Sequence, residues 1–94
     1  MFKLRDYERE EEKAAVLNAL KTRLEALPAA ISQIRAAEIG INVRKLNWAY
    51  DLVLVMEFDK LEDVETYTVH PAHQEFVAFN ADKSVMKALV DYEV

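Results

Sequence analysis

Cysteine is absent from this 94-residue chain, glycine occurs once and proline twice. The lack of thiols excludes disulfide staples, thiolate metal sites and cysteine nucleophiles together, and it fits a reducing, cytoplasmic setting. So little glycine and proline argues against collagen-like, loop-rich or disordered architectures. Positive charge is also short: 12 Lys and Arg stand against 17 Asp and Glu, for a net charge of −5. That balance lacks the basic footprint of a nucleic-acid binder and is a poor match for anionic lipid. No apolar run approaches the roughly 20 residues of a membrane-spanning helix, and no secretory-signal pattern opens the chain. The length suits one domain over residues 1–94 and no second. A domain of this size buries a modest share of its surface, so an oligomer would add to a thin stability margin.

What is present is strongly patterned. Met1–Arg5 reads as a short strand with Phe2 and Leu4 on one face. The spacing of Leu17, Leu20, Leu24 and Leu27 predicts a helix from about Glu8 to Leu27, ended by Pro28, with these leucines on its core stripe. The charge run Asp6–Lys13 is its solvated start. Alternation then predicts a strand over Ile34–Arg44, with Ile39, Ile41 and Val43 opposite Glu38, Gly40 and Asn42. A second follows over Tyr50–Phe58, with Leu52, Leu54, Met56 and Phe58 on one face and Val53 and Val55 on the other. Asp59 stands three residues before Glu62, the acceptor-x-x-acid spacing of a helix start, and predicts a helix over Lys60–Thr68. Pro71 suits the first turn of another, reaching Asn80, and Ser84–Val94 alternates as a last strand. Trp48, in the loop between the central strands, reads as a packing aromatic of the loop or of a dimer.

The order is that of an α+β, ferredoxin-like βαββαβ protomer with a four-stranded antiparallel sheet. Helices cover one face of such a sheet and leave the other bare. Val53, Val55, Val85 and Leu89 make that other face apolar, and a monomer tolerates only a few hundred Å² of exposed apolar patch. Pairing with a second copy about a two-fold axis is the simplest cover, so a homodimer is expected.

One stretch carries groups able to do chemistry: Tyr67-Thr68-Val69-His70-Pro71-Ala72-His73-Gln74-Glu75-Phe76-Val77, which holds both histidines of the chain. A histidine titrates near neutral pH and can move a proton, and a tyrosine hydroxyl can hold a carbonyl oxygen. Spacing alone also allows these residues to cap a helix and pack. No residue grouping predicts a metal site: adjacent helical carboxylates in Glu8–Glu12 diverge, and Asp59, Glu62 and Asp63 suit the positive end of a helix. No cofactor is expected.

The segment Val69–Val77 resembles the signature of the stress-responsive dimeric A/B barrel (Dabb) family. Tyr50–Asp59 with Leu61-Glu62-Asp63, Gly40–Val43 and Val90–Val94 resemble its central strand, second strand and last strand. The resemblance implies a dimeric α+β barrel with the helices outside, and a stress-responsive domain that binds a small apolar molecule or has no enzymatic activity. Members often begin with a longer first strand carrying a histidine, whereas Met1–Asp6 resembles only the end of that strand. A polyketide-cyclase branch of the family implies an alternative. There His73 would be the base that removes a proton α to a carbonyl, and Tyr67 would hold the developing oxyanion. His70 would cap and orient the turn, and with Tyr67 and His73 would meet a carbonyl-containing ligand. A cofactor-free monooxygenase is a further alternative, by analogy with other dimeric barrels.

Overall fold

The computed structural model describes residues 1–94. Its elements are β1 (Phe2–Leu4), α1 (Glu10–Glu25), α2 (Leu27–Ala30), β2 (Ala36–Ile41), β3 (Leu52–Glu57), α3 (Leu61–Val69), α4 (Pro71–Asn80) and β4 (Ser84–Lys87). The strands form one sheet in the order β2-β3-β1-β4, with every neighbouring pair antiparallel. This is the α+β, ferredoxin-like topology that the sequence pattern predicts.

Helix α1 begins with Glu10, Glu11 and Glu12 at its positive end and carries Arg23 in its last turn, both favoured by the helix dipole. The leucine stripe is buried: Leu20 and Leu24 are fully enclosed, and Leu17 and Leu27 nearly so. Pro28 does not stop the helical course as predicted. The chain leaves α1 at Ala26, and Pro28 then falls in the first turn of α2, where a missing N–H has no partner to lose. Ile31 and Ile34 follow α2 into the core, which fills the space between the helices and one sheet face with Leu4, Ile39, Leu52 and Phe76.

Strand β2 is shorter than the alternation predicts. The Asn42 side chain accepts from the Arg44 amide at 3.1 Å and donates to the Arg44 carbonyl, a local turn that takes the backbone out of the ladder. Val43 is consequently exposed rather than in line with Ile39 and Ile41. Asp59 does not cap α3. Lys60 holds the cap position without a side-chain bond, while the Asp59 carboxylate takes Arg35 Nε at 2.8 Å and Nη2 at 2.7 Å. A guanidinium offering two donors competes well for a carboxylate against one backbone amide.

The last strand ends at Lys87 and does not reach Val94. Strand β4 lies on the sheet edge and pairs only with β1, which is three residues long. The Ala88 N–H donates to the Met1 carbonyl at 3.0 Å, and Leu89–Val94 beyond it takes no strand structure. Leu89 therefore does not join the sheet. The face away from the helices carries Gly40 beside Val53, Glu38 beside Val55, and Lys3 beside Met86. Val53 is 39% exposed, Val55 46% and Met86 54%, and the charged Lys3, Glu38 and Glu57 share this face with them.

Candidate functional site

Helices α3 and α4 meet at a sharp corner, and the three predicted site residues lie around it. Tyr67 sits on the last full turn of α3, His70 is the junction, and His73 is in the first turn of α4. The corner forms because Pro71 cannot continue α3 and favours an extended residue before it; His70 has φ −64° and ψ 138°. His70 Nδ1 accepts from the Ala72 amide at 3.0 Å, so this side chain is the N-cap of α4. Its ring nitrogen is satisfying a helix end that would otherwise be unpaired.

Tyr67 and His73 are brought together, with ring centroids 4.4 Å apart, and Phe58 packs against Tyr67, 5.5 Å from its ring. Burial pushes the Tyr67 hydroxyl above its ordinary range, so the phenol stays protonated and is a donor at neutral pH. His73 Nδ1 lies 2.9 Å from the Thr68 carbonyl oxygen. A carbonyl only accepts, so Nδ1 carries a hydrogen, and the tautomer with that hydrogen has its lone pair on Nε2. Gln74 Nε2 donates to the same carbonyl at 2.7 Å. The pair thus offers one donor and one acceptor beside each other, half-buried.

Two surface clefts lie elsewhere. One, of about 380 Å³, is polar and includes Arg35, Asp59, Lys60 and Asp63. The other, of about 310 Å³, opens at the end of the sheet between Met1, Gly40, Ala49, Tyr50, Leu52 and Val53. Neither is lined by Tyr67, His70 or His73. No group of three His, Asp or Glu side chains is placed to hold a metal ion. No helix is long and apolar enough to cross a membrane.

The family model of the stress responsive A/B barrel domain (Dabb) matches residues 1–94. The chain belongs to this family. A search of curated proteins gave no match to the Dabb domain described here. Among solved structures, a dimeric protein of unknown function with a ferredoxin-like fold from Bacteroides fragilis is similar. It shares 43% identity with this Dabb domain at a TM-score of 0.87, over 99% of this chain and 89% of that one. A dimeric ferredoxin-like protein of unknown function from Thermobifida fusca has 23% identity and a TM-score of 0.73, over 92% of this chain and 77% of that one. A protein from Arabidopsis thaliana has 23% identity and a TM-score of 0.79, over 99% and 88%. The last two share the fold. None of these comparisons supports the cyclase-like or monooxygenase-like alternatives.

Two residues outside the predicted site organise the other end of β3, where the apolar cleft lies. Asp51, just before β3, accepts from the Leu4 amide at 2.8 Å and pairs with Lys13 of α1 at 2.8 Å, while its own amide donates to the Phe2 carbonyl at 2.9 Å. Gly40 floors the apolar cleft. Its being the one glycine of the chain was the available signal; Asp51 has none, because an acid ahead of a strand is ordinary.

Proposed function

We propose that this Dabb domain works as a homodimer in which two sheets face each other and close a shared α+β barrel, with the helices outside. The observation that carries this reading is the outer sheet face, where Val53, Val55 and Met86 stand open to water. The dimeric Bacteroides fragilis protein, alike over 99% of this chain, supports it. Covering some 400 Å² of apolar surface would contribute on the order of 10 kcal/mol, before the entropy cost of association. The cysteine-free composition supports a cytoplasmic setting.

Light scattering tests the dimer directly, with twice 10.8 kDa expected. Val55→Lys should reduce the mass to that of one chain. The new ammonium would face Glu38 across the ladder, so the protomer keeps its fold while the sheet–sheet contact takes a charge. A monomeric wild type, or a Val55→Lys protein as dimeric as the parent, would refute the assignment.

A second reading concerns the α3–α4 corner and rests on the state of His73. With Nδ1–H held by Thr68, Nε2 is the ring nitrogen left to meet a ligand, on a ring whose centroid lies 4.4 Å from that of Tyr67. This pairing suits the carbonyl or hydroxyl group of a small apolar ligand, with His70 serving the helix cap.

A further inference from the structure

We infer that Trp48 is an anchor of the homodimer: the turn that carries it holds the ring out from one copy so that the second copy covers it. The inference rests on the homodimer proposed above and adds to it a named contact outside the strands. Sequence alone leaves Trp48 as a packing aromatic of its loop or of a dimer. The structure removes the first choice, since the residue is 77% exposed. It stands at a turn corner. Ala49 N–H donates to the Leu46 carbonyl at 3.1 Å, which closes a four-residue turn with Asn47 and Trp48 at its two central positions. Such corners favour Gly, Pro, Asn, Asp or Ser for reasons of backbone geometry, and tryptophan shares none of them. What it brings is a large apolar surface, whose value is realised only on burial.

The turn is held in place. Lys3 Nζ donates to the Asn47 and Ala49 carbonyls at 3.0 and 3.2 Å, the residues on either side of Trp48. Lys45 pairs with Glu10 at the start of α1, and Asn42 fixes the beginning of the loop through both backbone groups of Arg44. These attachments also set which way the tip lies. Lys45 is tied to the helix layer, whereas Lys3 belongs to the outer sheet face, beside Met86, so the chain between them crosses the sheet end toward that face. Ala49 and Tyr50, which follow Trp48, line the apolar cleft together with Val53 of the same face. The surface around the tryptophan therefore runs on without a break into the one through which the homodimer forms, and this continuity selects a second copy as the partner. A tip already fixed by polar attachments loses little freedom when it docks, and tryptophan is enriched among the residues that dominate interface energies. A two-fold axis brings two such tips to one interface, one from each copy.

Trp48 is the single tryptophan of the chain, so its fluorescence reads this contact alone. In a concentration series sized in parallel by light scattering, the emission should be blue-shifted and shielded from acrylamide while the protein is a dimer. It should move to the position of a solvated indole as the mass falls to 10.8 kDa. A solvated, freely quenched tryptophan in a protein sized as a dimer would overturn the anchor and leave the sheet-face dimer standing. Trp48→Ala should keep the circular dichroism spectrum of the parent, because so little of the side chain is covered within its own chain. The same change should raise the dimer dissociation constant at least about tenfold. A Trp48→Ala protein that dimerises as tightly as the parent would reject the anchor. A monomeric wild type would instead remove the dimer, and the anchor with it.

Discussion

Removing the Asp51 carboxylate should loosen β1 from the rest of the sheet. This side chain is 13% exposed and serves two partners, the Leu4 amide and Lys13. Leu4 is 3% exposed, so in Asp51→Ala its N–H would lose the carboxylate with little access to water, at about 1–3 kcal/mol. The Lys13 ammonium is 39% exposed, and solvent screening limits that pair to less than about 1 kcal/mol. The sum is about 1–4 kcal/mol for Asp51→Ala. Asp51→Asn keeps an oxygen for the Leu4 amide and loses the ion pair, so it should cost about 1 kcal/mol. Lys13→Met should cost less than about 1 kcal/mol, and combined with Asp51→Asn it should add little more, since one interaction is being removed twice. Urea unfolding at one fixed protein concentration reads the parent and all four variants, because association shifts the midpoint with concentration. An Asp51→Ala protein within about 0.5 kcal/mol of the parent, or an Asn variant as damaged as the Ala variant, would refute the assignment of the main effect to the Leu4 bond.

Tyr67 gives a pH signature. Burial raises its folded pKa above the ordinary 10.0, so its stabilising contribution is complete below pH 10.0 and is lost as pH rises through the folded value. Unfolding measured at pH 8 and at pH 11 should show a larger loss for the parent than for Tyr67→Phe; equal losses would contradict the burial argument. His73→Ala should cost less than about 1 kcal/mol, because Gln74 keeps its bond to the Thr68 carbonyl. In a thermal-shift screen of small carbonyl compounds, a ligand that stabilises the parent should fail to stabilise this variant, and a retained shift would exclude His73 from the site.

Periodicity made the elements legible because each buried face leaves its own spacing in the sequence. The leucine stripe of α1 and the alternation of β3 bring Leu20, Leu24 and Leu52 into one core. Element ends were less legible, because they are decided by partners distant in sequence. Strand β4 depends on β1, more than 80 residues earlier in the chain, and Asp59 abandons its helix for Arg35, 24 residues earlier. The Tyr67, His70 and His73 corner was readable through Pro71, which fixes the turn locally. The Gly40 cleft was not: it is assembled from three separate segments, represented by Met1, Gly40 and Val53, and only the chain's single glycine hinted at it.

The small interior has a consequence for how this protein persists in a cell. Only 11 of 94 residues are buried in the single chain. In the homodimer proposed above, part of the free energy of the folded state would come from the second copy, and mass action would govern it. Each tenfold dilution would then remove about 1.4 kcal/mol from the assembled state relative to separated, unfolded chains. Abundance would set stability: a chain made in quantity would protect itself from unfolding and proteolysis, and a scarce one would be cleared.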